Sequence, residues 1–272
     1  NSSGFYMYYG YDSPDDLGAH NRDVWSDHFL GVWHLNETGG TTYRDSSAGA
    51  RHAVLTGNTV SYTAPVPATG KIGGAQHWVE STTGIAAPPL SSADLGPFTV
   101  SLWTYLDDLS ASHGSRLFDK SWEGYQGGFH TRIDSKDMHY EIMADTGDVA
   151  DNRALTIHGV VGEGSWVWWC FRYDGIYAGD PSPTEKDNYK NGKTMNSVTG
   201  GDGTGTSAYD GDADAFLHIG NSSHVNTNAI RGYIDEVRVS SVMRSGTWIA
   251  AQYASMTDAG YLLFGPEEQL RY

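Results

Sequence analysis

The feature that most constrains this chain is the rhythm of its apolar residues. They come in many brief runs that alternate with period two, and each run is soon cut off by Gly, Asn, Asp, Ser or Pro. Period-two alternation sends successive side chains to opposite faces of an extended chain, so each run offers one face for burial. On this pattern, strands are predicted over 5–9, 29–35, 76–79, 98–106, 117–118, 128–133, 138–143, 155–158, 166–173, 216–219 and 233–239. In 29–35, Leu30, Val32 and His34 share one face and Gly31, Trp33 and Leu35 the other. In 98–106 the alternation of Phe98, Val100 and Leu102 slips at Tyr105, which predicts a bulge near Trp103-Thr104. In the last run Tyr233, Val237 and Val239 are expected on the core face, with Ile234, Glu236 and Arg238 on the other. Helical spacing occurs once, at 245–253, where Ser245 is a suitable N-cap. Asn191-Gly192 is a strong hairpin signal, because both residue types accept positive φ. The Gly/Asp/Thr/Ser stretch 199–214 reads as a mobile loop. About a dozen strands with long connections predict an all-β fold, a two-layer antiparallel sandwich of the jelly-roll kind with one short C-terminal helix.

Composition narrows the function classes. The 272 residues suit one all-β unit with a sizeable core. The formal net charge of −16 argues strongly against nucleic acid as a partner, and also against anionic membrane surfaces, since like charges repel. It suits neutral glycans and cations. The single cysteine, Cys170, sits in the apolar run Trp166-Val167-Trp168-Trp169-Cys170-Phe171 and reads as a small core residue. No segment is long and apolar enough to span a bilayer. The chain opens with Asn1-Ser2-Ser3-Gly4 and runs at once into strand-like residues, which suggests a mature or excised piece of a longer precursor.

Several segments carry a resemblance. Val32-Trp33-His34-Leu35-Asn36-Glu37 with Asp45-Ser46-Ser47, Lys71-Ile72-Gly73-Gly74-Ala75, Phe98-Thr99-Val100-Ser101-Leu102-Trp103, and Trp166 with Phe171-Arg172-Tyr173-Asp174-Gly175 follow one another in order. Tyr189-Lys190-Asn191-Gly192, then Arg231-Gly232-Tyr233-Ile234-Asp235-Glu236-Val237-Arg238-Val239-Ser240, Trp248-Ile249-Ala250-Ala251-Gln252-Tyr253 and Gly265-Pro266-Glu267-Glu268 complete the series. Together they resemble the laminin-G-like bacterial domains of the concanavalin A-like lectin/glucanase superfamily. Phe5-Tyr6-Met7-Tyr8-Tyr9-Gly10 and Val24-Trp25 resemble the C-terminal end of a bacterial domain of unknown function that precedes such sandwiches. The resemblance therefore implies a tail of an upstream domain over 1–28, packed on a laminin-G-like sandwich over 29–272.

The resemblance also implies a structural calcium ion at the sandwich rim, for which Asp45 and Asp235 are the expected ligands; the alternative for Asp45 is a turn cap bonded to local backbone N–H groups. Asn36 or Glu37 would add a further oxygen. The repeated acids of Asp210-Gly211-Asp212-Ala213-Asp214 lack the glycine and glutamate offsets of an EF-hand. For a sugar, exposed aromatics beside polar groups are the expected site. Trp122, Tyr125 and Gln126 lie in the Gly-rich segment 121–128, and His130 and Arg132 follow on one strand face. His139 and Glu141 share a face of the next strand. If the two strands pair, His130, Arg132, His139 and Glu141 form one polar patch, able to bind a sugar or, if the protein is an enzyme, to move a proton. No closely spaced pair of carboxylates of the kind used in retaining hydrolysis is visible. Asn221-Ser222-Ser223 and Asn36-Glu37-Thr38 are formal glycosylation acceptors.

These readings converge on an extracellular, secreted or cell-surface module that binds a polysaccharide or surface glycan without catalysis. Two other readings remain open. One is a polysaccharide-degrading lyase or glycoside hydrolase working from the polar sheet face. The other is a structural domain of a surface array or filament whose partners are neighbouring domains.

Overall fold

A computed structural model of the chain describes residues 23–57, 59–91, 96–109, 114–122, 126–143, 153–175, 186–195, 198–200 and 213–261. The strand expected at 5–9 and most of the loop expected at 199–214 lie outside these residues; Thr199 and Gly200 belong to a strand.

Two antiparallel sheets carry the described chain. The first joins β14 (Lys193–Thr194), β13 (Lys186–Lys190), β12 (Trp166–Tyr173), β7 (Phe98–Leu106), β17 (Gly232–Ser240), β5 (Gly74–Trp78) and β4 (Val66–Thr69) in that order, and β1 (Phe29–Trp33) also pairs with β17. The second joins β15 (Val198–Gly200), β11 (Arg153–Ile157), β10 (Asp137–Met143), β9 (Gln126–Asp134), β8 (Phe118–Trp122), β16 (Leu217–Ile219), β6 (Ile85–Ala87), β3 (Ala53–Val54) and β2 (Thr42–Tyr43). The expected hairpin at Asn191-Gly192 links β13 to β14, with φ of 51° and 74°.

The core lies between the sheets. Phe98 of the first sheet stacks on Phe129 of the second with ring centroids 4.1 Å apart. Phe171 meets Phe118 at 5.3 Å and Tyr140 at 5.4 Å, so aromatic contacts cross the interlayer space at two places. A second apolar cluster sits on the outer face of the first sheet, where α1 (Gly246–Thr257) places Ile249 over Trp103, Trp168, Cys170 and Tyr189. Ser245 caps this helix as expected, its hydroxyl accepting from Trp248 N at 3.2 Å. Cys170 is buried here, and burial pushes its thiol far above the ordinary range, so it packs as a small apolar side chain.

Two expectations about the central strands are corrected. β7 runs regularly from Phe98 to Leu106 and carries no bulge at Trp103-Thr104. The irregularity is on its neighbour: Asp235 pairs with Trp103 but Arg238 with Ser101, so β17 holds one residue more than β7 over this stretch. Glu236, at φ 54°, takes up the extra residue. The bulge reverses the facing of everything before it. Ile234, Val237 and Val239 are in the core, while Tyr233 faces outward. Tyr233 was expected inside because strict period two was carried through a position where the strand changes parity.

Candidate functional site

The outer face of the second sheet carries an unusual density of charged and hydrogen-bonding groups. Its origin is the alternation itself. Phe129 and Ile133 of β9, and Met138, Tyr140 and Ile142 of β10, point into the core, so His130, Arg132, His139 and Glu141 must point outward. The register makes them direct neighbours: His130 faces Glu141 and Arg132 faces His139. The patch expected from these four residues is therefore assembled, and it extends further. Asp119 of β8 faces His130, and His218 of β16 faces Asp119, so one row crosses four strands.

The row has a sealed end and an open end. At the sealed end Asp119 is fully buried. Its Oδ1 accepts from Ser121 N at 3.1 Å and from the Ser121 hydroxyl at 2.5 Å. Its Oδ2 accepts from the Ser222 hydroxyl at 3.2 Å and from Ser223 N at 3.1 Å, and Arg116 lies 3.8 Å away. Burial alone would raise this carboxyl, but His130, Arg116, the Ser121 hydroxyl and His218 outweigh it and hold the group below its ordinary range. Tyr62 donates to Ser222 O at 2.6 Å, so its oxygen must accept from His218 Nδ1, also 2.6 Å away. His218 is thus the Nδ1–H tautomer, and burial, against the pull of Asp119, lowers its pKa to about 4. Asn221 anchors the covering loop by donating to Ser81 O and Thr83 O. It is fully buried, so its Asn-Ser-Ser match offers no accessible glycosylation site.

At the open end Glu141 is ion-paired on two sides, its Oε2 lying 3.4 Å from His130 Nε2 and its Oε1 3.4 Å from Arg132 Nε. Arg132 Nη1 reaches Asp134 Oδ2 at 3.0 Å, His139 Nε2 lies 3.6 Å from the same oxygen, and His139 Nδ1 is 2.9 Å from Thr156 Oγ1. Exposure rises outward along this network: side-chain accessibility is 1% for His130, 16% for Glu141 and 38% for Arg132. Burial would raise Glu141, yet the hydrogen bond and charge of His130, with Arg132 and Arg116, depress it to about 2. Burial and Arg132 lower His139, against Asp134 and Glu141. The arrangement is a set of charged and polar groups joined by ion pairs, with one edge in solvent.

The remaining predicted residues fall elsewhere. Trp122 and Gln126 face each other where β8 turns into β9, but their side chains, and Tyr125 altogether, lie outside the described residues. Asp45 is a turn cap: Oδ1 accepts from Val32 N and Ser47 N, and Oδ2 from the Ser47 hydroxyl and Arg51 N, all within 2.7–2.8 Å. Its four lone-pair positions are used and four hydrogens point at it, which leaves no room for a cation. Asp235 sits in a separate network, with Oδ2 accepting from Ile72 N at 2.8 Å and Oδ1 buried without a hydrogen-bond partner. Burial raises its carboxyl to about 7. Among the described residues no group of three or more His, Cys, Asp or Glu is placed to hold a metal ion, and the two expected calcium ligands, Asp45 and Asp235, lie in separate hydrogen-bond networks. Sequence reasoning missed Asp119, His218 and Tyr62. The one sign for Asp119 was its place directly after the apolar pair Leu117-Phe118, on the opposite parity to Phe118; nothing in sequence linked it to Ser222 or Tyr62, about one hundred residues away in one case and more than fifty in the other.

Comparison with known proteins agrees with this architecture. Residues 79–250 match a family model described as the laminin-G-like concanavalin A-like lectin/glucanases superfamily. The sequence finds no significant match among curated proteins. Among solved structures, the chain is similar to the binding domain of paraclostridial mosquitocidal protein 1, with TM-score 0.61 and 10% identity over 85% of this chain and 53% of that one. It is also similar to domain 4 of AbnA, an extracellular arabinanase from Geobacillus stearothermophilus solved with arabinotriose, with TM-score 0.53 and 18% identity over 82% of this chain and 96% of that one. A third is the botulinum neurotoxin serotype D binding domain solved with N-acetylneuraminic acid, with TM-score 0.58 and 13% identity over 84% and 51%. The chain spans about half the length of the toxin binding domains it matches. At these identities the likeness is one of fold. The family match covers well over half of the chain, and with the two-sheet architecture it shows that this protein belongs to the laminin-G-like branch of the concanavalin A-like lectin/glucanase superfamily.

Proposed function

We propose that this domain is a non-catalytic carbohydrate-binding module of an extracellular protein, and that it holds sugar hydroxyls at the open end of the polar row. The observation that carries the reading is the block of Arg132, Asp134, His139 and Glu141, fixed by mutual ion pairs on an accessible sheet face. Carboxylates accept from vicinal hydroxyls and a guanidinium donates to ring and hydroxyl oxygens, so such a block suits a polyol better than an apolar ligand. Pre-ordered side chains lose little entropy on binding. Arg132 is already balanced by Glu141 and Asp134, and the protein carries a net charge of −16, so an uncharged sugar is favoured over a polyanion.

The same geometry argues against acid catalysis. A Glu141 carboxyl held at about 2 is ionised at neutral pH, so this residue is not the general acid that glycoside hydrolysis requires. Two sugar-bound structures, with arabinotriose in one case and N-acetylneuraminic acid in the other, support a sugar-binding role for the fold. The test is a glycan array followed by calorimetry with the Arg132→Ala and Glu141→Gln proteins. Binding to uncharged glycans that falls at least about tenfold in both variants is expected. Silence across the array, or equal binding by wild type and both variants, overturns the assignment.

A further inference from the structure

The opposite side of the molecule carries a second candidate site, formed from aromatic side chains. On the outer face of the first sheet, beyond the area covered by α1, four ring-bearing residues stand in direct cross-strand register. Trp166 of β12 faces Tyr105 of β7, Tyr105 faces Tyr233 of β17, and Tyr233 faces His77 of β5. All four are partly exposed. Neighbouring ring centroids lie 5.8, 5.6 and 4.0 Å apart, so the rings form one continuous row. Three inter-strand spacings make the row about 14 Å long.

These partly exposed rings, in unbroken contact across four strands, leave a continuous line of apolar ring surface within reach of solvent. Tyr and Trp are amphipathic, and the row has hydrogen-bonding groups along its margin. His77 Nε2 is 2.7 Å from Asp107 Oδ2, and a groove of about 400 Å3 lined by His77, Trp78, Val79, Asp107, Asp108 and Arg231 opens beside it. Asp107 and Asp108 put negative charge at this margin, and the one cation of the groove, Arg231, donates to Val79 O. A ligand that stacks apolar faces on rings, donates hydroxyl hydrogens to flanking carboxylates and carries no negative charge is a sugar chain. The rings are not coplanar: His77 and Tyr233 are stacked at 7°, but Tyr105 is turned 87° to Tyr233 and Trp166 62° to Tyr105. A flat crystalline surface would not follow that twist, whereas a single extended chain can.

We infer that the row Trp166–Tyr105–Tyr233–His77 is a second glycan site, which binds about three consecutive units of one linear, uncharged polysaccharide chain across the strands. The inference rests on the reading of the domain as a carbohydrate binder but uses none of the residues of the polar row. It makes the module two-sided, with hydroxyl recognition on one sheet and chain stacking on the other.

The test uses the full chain and uncharged linear hexasaccharides, cellohexaose and xylohexaose, with polygalacturonate as the charged control. Calorimetry compares wild type with Tyr233→Ala, Trp166→Ala, Arg132→Ala and, as a control, Arg44→Ala. Hydroxyl-radical footprinting of wild type, with and without hexaose, reads the site without any substitution. Wild type is expected to bind hexaose at two sites; Tyr233→Ala and Trp166→Ala weaken one of them about tenfold, Arg132→Ala weakens the other, and the control Arg44→Ala, exposed and outside both sites, binds as wild type does. Protection is expected at Tyr105, Trp166 and Tyr233. Unchanged affinity in both ring variants, protection confined to β9 and β10, tighter binding of polygalacturonate, or no heat with either hexaose overturns the inference. Loss of hexaose binding in Arg132→Ala alone would leave the polar site standing and remove this one; loss in the ring variants alone would do the reverse.

Discussion

Replacing Asp119 with Asn is a sharp test of how the candidate face is built. The substitution keeps the shape and removes the charge. Each carboxylate oxygen accepts one backbone N–H and one serine hydroxyl: Ser121 N and Oγ on Oδ1, Ser223 N and Ser222 Oγ on Oδ2. A hydroxyl can rotate to a new acceptor, but a backbone N–H cannot. Whichever oxygen becomes an amide NH2, one backbone donor then faces another donor in a fully buried place. Two charge-assisted bonds are lost, each worth about 1.5–3 kcal/mol, and Arg116 loses its buried counter-charge. A destabilisation of about 3–5 kcal/mol follows, a large part of the stability of a domain. Urea unfolding at pH 7 should show a lower midpoint with an unchanged slope. The pH dependence gives a second check. The folded Asp119 carboxyl lies below its unfolded value of about 3.9, so its contribution is complete above that value and is lost as pH falls through the lower, folded value. Wild type should lose its advantage over Asp119→Asn only in that acid range. A variant within about 1 kcal/mol of wild type at pH 7 would refute the claim that this carboxylate ties β8 to the loop at 221–224.

Three further outcomes follow from the fold. Ile234→Ala should cost about 2–5 kcal/mol and Tyr233→Ala less than about 1 kcal/mol in urea unfolding, because the bulge at Glu236 puts Ile234 inside and Tyr233 outside; the reverse order would restore strict alternation. Gly232→Ala should unfold or severely destabilise the protein, since its added Cβ would lie 2.0 Å from Tyr105 O at a φ of 148°; a thermal midpoint equal to that of wild type contradicts the close approach of β17 to β7. Ser245→Ala should cost about 1 kcal/mol through loss of the cap on Trp248 N, read as a lower thermal midpoint, with Ser245→Asp restoring it.

The strands of the centre were legible because each buries one face, and burial leaves a period-two imprint on the residues themselves. β9 and β10 are the clearest case: alternation alone placed His130, Arg132, His139 and Glu141 on one side, and the short connection Ser135-Lys136 between them made pairing the simplest outcome. Where alternation breaks, sequence misleads. The slip at Tyr105 was assigned to β7, yet Tyr105 simply faces outward under no helix, and the real break lies at Glu236 in the neighbouring strand. A bulge leaves no local mark that one strand can report by itself, because it is defined against a partner.

From the order of its residues, then, this chain dictates two layers of strands, a capped helix and an acidic surface, since these depend on spacing, burial preference and charge that act over a few residues. The seating of Asp119 beneath Ser222 and Ser223 is a different matter, as are the fate of Asp45 as a cap and the alignment of Trp166, Tyr105, Tyr233 and His77. Those depend on which strand lies beside which and in what register, and only the closed sandwich sets that, by bringing together donors, acceptors and rings that lie tens to more than a hundred residues apart.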